Sequence, residues 1–464
     1  MTDVLLIYPP VSYTAKPWQI KDDLILDYPP LGFLYIASAL IEKGFKVKVI
    51  DTVKITDLKK TISFIKKEKP KVIGLSALTS NIRGAYQLAL EIKKKFGREI
   101  QIGLGGHHLS SDPEIIKRFP VFDFGVTGEG EITFTKLVED IIKKKKRVNG
   151  LFIGETPRDL DKLPLPARYL VDFSLYKDLW ANNLVASRGC PYHCLFCSRP
   201  AVSRLCRFRS PELVVEEMFA IRKMTGKNQF VFLDDTINLN RNHLLKLCKT
   251  IIESELKPCW SAQARLNLID EELVRQMSKA GCQKLMFGVE SGNLRVRNKI
   301  IHKEITDVQI KNGFVLCRRY GIEPDAFLML GFPTENKKEM EDTVNFGQKY
   351  QPNMIGVHLT LPLPGSLLWE ELIIKDPQFK KMIDSYIKGE LGEGFRNNWP
   401  KYIPDGLSLE DLILARNQAQ RRFYLRPSYV FYRLKKDLTS LSGLKKDIVE
   451  ALSLIKFGRS HWGD

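Results

Sequence analysis

The stretch Ala186-Ser-Arg-Gly-Cys-Pro-Tyr-His-Cys-Leu-Phe-Cys-Ser-Arg199 sets Cys190, Cys194 and Cys197 in a C-x3-C-x2-C array on one short loop. Thiolates are soft ligands suited to iron–sulfur clusters, and three converging from one side can hold a four-iron cube (4Fe-4S). Three ligands leave one iron without a protein partner, and that open corner can bind a small molecule, as a closed electron-transfer cluster cannot. Val185-Ala186-Ser187 reads as a strand end, while Gly189 and Pro191 force a turn. The cysteines therefore follow a strand, where α/β folds place chemistry. Two plainer readings use the same residues. One is a structural zinc site completed by His193, although zinc ligands usually come as two separated pairs. The other takes the cysteines as small buried hydrophobes.

This spacing, with Phe196 just before the third cysteine, resembles the radical S-adenosylmethionine (SAM) superfamily. The resemblance implies that Cys190, Cys194 and Cys197 are the catalytic, metal-ligating residues of a 4Fe-4S cluster. Its open iron would chelate the amino and carboxylate groups of SAM. Reductive cleavage would then give a 5′-deoxyadenosyl radical, with Phe196 packed near the adenine. An external low-potential electron donor, a flavodoxin or a ferredoxin, is implied as well.

At 464 residues the chain can form about three domains with sizeable cores. Its hydrophobic (44%) and charged (27%) fractions are those of a globular protein, which argues against wholesale disorder. No stretch approaches the ~20 uninterrupted apolar residues of a membrane span. Met1-Thr-Asp-Val-Leu-Leu-Ile-Tyr-Pro-Pro10 reads as a first strand and not as a signal peptide, so a cytoplasmic protein is expected. The other five cysteines (Cys206, Cys248, Cys259, Cys282, Cys317) are scattered and read as reduced packing residues, with Cys206 near the loop. The net charge of +18 points to an acidic partner: nucleic acid, anionic lipid or a phosphorylated substrate. A lysine-rich solvated surface explains it equally well.

Residues 1–148 alternate strands and helices: strands at Val4–Tyr8, Lys46–Asp51, Val72–Ser76, Gln101–Leu104 and Phe122–Val126, helices at Leu31–Lys43, Leu58–Lys67, Ile82–Phe96 and Thr133–Lys143. That alternation predicts an open parallel sheet of Rossmann type, with ligands beyond the carboxyl ends of its strands. Those ends carry small or turn-forming residues: Pro9-Pro10, Ser76-Ala77, Gly105-Gly106-His107 and Gly128-Glu129-Gly130. They make a rim for a large flat or phosphate-bearing ligand. No G-x-G-x-x-G follows the first strand, which disfavours a dinucleotide. Ahead of the cysteine loop, this sheet resembles the cobalamin-binding domain of cobalamin-dependent radical SAM enzymes. The matching elements are Tyr8-Pro-Pro10, Tyr28-Pro-Pro-Leu-Gly32, Gly105-Gly-His107 and Gly128-Glu-Gly-Glu131. The resemblance implies cobalamin contacts from Ser76, Gly105, Gly106, His107, Gly128, Glu129 and Gly130. The D-x-H-x-x-G motif, whose histidine ligates cobalt in many cobalamin proteins, is absent. Either cobalamin is bound without it, or the domain keeps the fold alone.

Residues 149–184, with Asp159-Leu-Asp-Lys-Leu-Pro-Leu-Pro-Ala-Arg168, read as an extended interdomain connector. Residues 185–370 give six βα units, a partial (β/α)6 barrel with polar residues at the carboxyl ends of its strands. By position in the resembling family, Asp234 and Asp235 fall where the SAM amino group or the substrate is contacted. Arg265, Glu290 and Ser291 fall where the SAM carboxylate and ribose lie, and Leu330-Gly331 on the strand against the adenine. Asp235, Ser291 and Thr334 serve equally as helix caps. Glu290, an acid ending an apolar strand, is costly unless paired.

Residues 371–464 read as a helical C-terminal region, with a helix at Leu409–Leu425 and a further amphipathic segment to about Phe457. Over 415–464, eleven Lys/Arg stand against four Asp/Glu. Such a segment suits peripheral membrane contact, a lid over an anionic substrate, or a helical cap with its charges in water. The expected enzyme is a cobalamin-dependent C-methyltransferase acting on a small-molecule or lipid substrate. One SAM would methylate cobalamin, and a second would give the radical. Non-methylating chemistry (oxidative cyclisation, rearrangement or lipid coupling) is the alternative. A tRNA methylthiotransferase is disfavoured because residues 1–189 hold no cysteine for a second cluster; nucleic acid is not the expected partner. A non-catalytic metal-binding scaffold is the remaining class.

Overall fold

The structure, a computed structural model, describes residues 2–14, 28–51, 57–176, 181–198, 204–392, 395–399 and 401–431. The expected amphipathic segment beyond Phe431 lies outside the described residues. The described chain forms two compact units, residues 2–237, 249–260 and 362–399, and residues 238–248, 261–361 and 401–431.

The first unit opens with β1 (Val4–Tyr8), α1 (Leu31–Glu42), β2 (Val47–Asp51), α2 (Leu58–Glu68), β3 (Val72–Ser76) and α3 (Ile82–Phe96). There follow β4 (Gln101–Gly105), α4 (His107–Ser111), α5 (Ile115–Arg118), β5 (Phe124–Thr127), α6 (Glu131–Ile142) and β6 (Gly150–Ile153). The six strands form one parallel sheet in the order β2-β1-β3-β4-β5-β6. Val4 to Ile7, and Val72, Ile73 and Leu75, are at most 1% exposed, the continuous apolar run of strands covered on both faces. One core cluster joins Val4, Leu6, Phe33, Phe124, Phe134 and Val138. The helices take their ends from local chemistry: the Asp57 carboxylate accepts the Lys59 and Lys60 amides at the start of α2.

Still in the first unit lie β7 (Asn183–Leu184), the antiparallel pair β8 (Ser187–Arg188) and β9 (Arg207–Phe208), α7 (Pro211–Thr225) and β10 (Gln229–Phe232). After α8 (Arg241–Glu253) comes β11 (Cys259–Ala264), which begins in this unit and ends in the other. The chain returns to this unit with the helices α13 (Leu367–Lys375), α14 (Gln378–Lys388) and α15 (Phe395–Asn398). The Tyr386 hydroxyl donates to Ser80 O at 3.0 Å, and Arg118 pairs with Asp384 at 2.9 Å.

The second unit holds α9 (Glu271–Lys279), β12 (Cys282–Glu290), α10 (Asp307–Arg319), β13 (Glu323–Leu330), α11 (Lys337–Val344), α12 (Phe346–Tyr350), β14 (Met354–Leu359) and α16 (Leu409–Tyr424). Capping boxes start α10 (Thr306 with Gln309), α11 (Asn336 with Glu339) and α16 (Ser408 with Asp411). The strand order β14-β13-β12-β11-β10-β7, with helices following the strands, is the succession of a partial (β/α)6 barrel. Among the described residues no helix is long and apolar enough to cross a membrane.

Candidate active site

The cysteine loop leaves the β8–β9 pair, whose register sets Ser187 opposite Phe208 and Arg188 opposite Arg207. Its root is fixed by Asp234, which follows β10. The carboxylate accepts the Ala186 N–H at 3.0 Å and the Ser187 hydroxyl. Burial pushes the Asp234 pKa up to about 6, against the pull of those donors. Gly189 has φ +93°, and a Cβ there would lie 2.3 Å from Leu205 O, so only glycine fits. Within the loop Cys197 N–H donates to Cys194 O at 3.0 Å, and Leu368 N–H donates to Leu195 O at 2.9 Å.

Cys194 is buried, while Cys190, Cys197 and Phe196 are half-buried and His193 is exposed. All eight cysteines are described and none is in a disulfide. Cys206 lies close by: burial raises its thiol pKa, and Cys190 and Asp235 add to the effect. Among the described residues no three His, Cys, Asp or Glu side chains close around a single metal ion. Three thiols on one loop beside a half-buried aromatic are a donor set suited to a four-iron cube.

The rim of the first sheet gathers Ser76, Gly105, Gly106, His107, Gly128 and Gly130, all half-buried at the carboxyl ends of β3, β4 and β5. This cradle of small residues suits a broad ligand. Sequence reasoning takes Gly105-Gly-His-His108 as a loop, but α4 begins at His107, because His108 N–H finds Ala77 O at 2.9 Å. His108 is fully buried, and burial drives its pKa down to about 4, so it is neutral. The Glu129 side chain does not stand alone there. It pairs with Arg188 and Arg207, the arginines flanking the cysteine loop. Sequence reasoning missed both; the one local hint was a basic residue on each side of the array.

Arg265, Glu290, Ser291, Leu330 and Gly331 lie in the second unit. Arg265 is held by Asn238, which accepts its N–H at 3.0 Å, and its guanidinium donates to Asn267 Oδ1 at 3.2 Å and to Lys303 O. Glu290, at φ +70°, is paired with Lys303 at 2.9 Å, the partner that a buried acid requires. Ser291 accepts the Asn293 N–H at 3.1 Å and lies 3.3 Å from the Thr343 hydroxyl. Leu330 ends β13, and Gly331 and Phe332 donate their N–H groups to Glu335 Oε2 at 2.7 and 3.0 Å.

A profile of the Radical SAM superfamily matches residues 184–347, and a profile of the B12 binding domain matches residues 21–138. The chain is 31% identical over 391 residues to an uncharacterized methyltransferase of Pyrococcus horikoshii, across 80% of this chain and 83% of that one. It is 26% identical over 460 residues to the anaerobic magnesium-protoporphyrin IX monomethyl ester cyclase of Rubrivivax gelatinosus, across 94% of this chain and 79% of that one. Its fold is similar to that of the radical SAM methyltransferase TsrM from Kitasatospora setae, solved with cobalamin and a 4Fe-4S cluster. The TM-score there is 0.64 at 17% identity, covering 91% of this chain and 85% of that one. The chain is therefore an enzyme of the radical SAM superfamily, in the group with a B12-binding domain ahead of the radical SAM domain, and its cofactors are a 4Fe-4S cluster, SAM and cobalamin.

Proposed function

We propose that this enzyme transfers a methyl group to an unactivated carbon of a small molecule or lipid. The observation that carries the reading is the seating of the cysteine loop on the cobalamin-type sheet inside one compact unit. When bound, the cluster with SAM supplies a 5′-deoxyadenosyl radical, and cobalamin supplies the methyl group. In this reading Cys190, Cys194 and Cys197 ligate three irons, and the half-buried Phe196 flanks the adenine. Asp234 holds the root of the loop, and Asp235 next to it faces the SAM amino group or the substrate. Arg265, Glu290 and Ser291 serve the SAM carboxylate and ribose, and Leu330 and Gly331 the adenine. Ser76, Gly105, Gly106, His107, Gly128 and Gly130 line the cobalamin rim. Electrons come from a flavodoxin or ferredoxin. A role at a membrane surface for the part of the basic C-terminal segment beyond residue 431 falls on residues outside those described.

The test is a product balance with reduced, reconstituted enzyme, SAM and candidate substrates. Methylation yields S-adenosylhomocysteine together with 5′-deoxyadenosine. Deoxyadenosine alone, with a dehydrogenated or cyclised product, favours the second reading, which the similarity to the cyclase across 94% of the chain supports. Cys194→Ala is expected to abolish both the cluster's visible absorption and SAM cleavage. Retained cleavage in that variant rules out the ligand assignment.

A further inference from the structure

The cysteine loop is gripped from both arms by one acid of the N-terminal sheet. Arg188, on the incoming arm β8, places Nη1 2.7 Å from Glu129 Oε2 and 2.8 Å from Glu131 Oε1. Arg207, on the outgoing arm β9, meets both oxygens of Glu129, with Nη1 3.2 Å from Oε2 and Nη2 against Oε1. Arg207 Nη1 also donates to Pro157 O, and the Arg188 guanidinium lies 4.8 Å from the centre of the Tyr35 ring. Glu129, Glu131 and Arg207 are 7, 5 and 5% exposed.

Two anions and the Arg207 guanidinium are thus taken out of water at the base of the loop, with Arg188 half-buried beside them. Apolar side chains of equal volume would hold two surfaces together at least as firmly. What a guanidinium–carboxylate fork adds is direction, because its parallel hydrogen bonds fix orientation as well as separation. We infer that Glu129 is a positioning residue, which sets the pose of the cysteine loop on the cobalamin-binding sheet through Arg188 and Arg207. The consequence for catalysis rests on the function proposed above: a fixed pose holds the cluster and cobalamin sites in register.

The test compares wild type, Glu129→Gln and Arg188→Lys. Gln keeps the shape and removes the charge; Lys keeps the charge and removes the fork. Leu88→Ala, a cavity in α3 away from the clasp, is the control for general destabilisation. In the metal-free full-length protein, both clasp variants are expected to speed amide exchange about tenfold over 186–198 and 204–209, with β1 to β4 unchanged. The control should leave 186–198 as in wild type. In the reconstituted enzyme the clasp variants should give a broadened, multi-component cluster EPR signal and a lower ratio of S-adenosylhomocysteine to 5′-deoxyadenosine. If exchange rises evenly through the whole unit, or the loop exchanges as in wild type, the positioning role is overturned. If wild type itself forms no S-adenosylhomocysteine, the methylation reading fails while the exchange and EPR arms still judge the clasp.

Discussion

Glu335→Gln isolates the energetics of one buried acid. Glu335 is 1% exposed; its Oε2 accepts two backbone N–H groups, and its Oε1 meets no hydrogen-bond partner among the described residues. Burial pushes its pKa up to about 7, against the pull of the Phe332 and Gly331 amides. The folded state therefore holds this proton more tightly than the unfolded chain, whose carboxyl has the ordinary value of 4.5. The stability this contributes is complete below about pH 4.5 and is lost as pH rises through about 7. The interval corresponds to roughly 3 kcal/mol. Glutamine is neutral throughout and does not follow that slope. Thermal unfolding at pH 5, 6.5 and 8 should show the two proteins close together at pH 5. At pH 8, Glu335→Gln should be the more stable by roughly 3 kcal/mol, about 6–12 °C in Tm for a unit of this size. Asp234, raised to about 6, and His108, lowered to about 4, tilt both curves alike, so the difference belongs to Glu335. Parallel curves would refute the reasoning. Glu335→Ala is a separate case: it strands the Gly331 and Phe332 amides and should cost ~1–3 kcal/mol for each at every pH.

Gly84→Ala reverses a general rule. In a helix interior such a change ordinarily gains about 1 kcal/mol, but here the new Cβ would lie 1.9 Å from Pro10 O, and a fall in Tm equivalent to more than ~2 kcal/mol is expected. Gly189→Ala should fail locally: the +93° φ and the 2.3 Å approach to Leu205 O predict low iron content after reconstitution, read by iron analysis, with a smaller loss in Tm than for Gly84→Ala.

Much of the fold is legible because its signals are local. The strands Val4–Tyr8 and Val72–Ser76 and the helix Ile82–Phe96 stand where hydrophobic periodicity puts them, and the six strands β7 and β10 to β14 follow the turn signals. The edge strand β6 escapes that reading. Gly150-Leu-Phe-Ile153 is four residues long, Leu151 and Ile153 are exposed, and only its parallel pairing with Phe124–Thr127 makes it a strand. The pair β8–β9 is two residues per strand and depends on a partner nineteen positions away (Arg188 with Arg207), which no periodicity announces.

The same distinction decides what is legible in the site. Three cysteines within eight positions carry their chemistry in covalent spacing, so the loop can be read from sequence alone. A polar residue at a strand end carries no such mark, because its meaning depends on what the fold brings to it. Glu290 finds Lys303 thirteen residues on, Asp234 finds Ala186 forty-eight residues back, and Glu129 finds Arg207 seventy-eight residues on. Before those partners are known, a ligand contact, a cap and a clasp are the same letter. The Gly128-Glu-Gly-Glu131 turn shows the cost of reading it alone. Its glycines lie half-buried at the rim of the sheet, while its two acids are directed to the arginine beside the cysteines. Only the arginines on the far side of the connector reveal where those acids go.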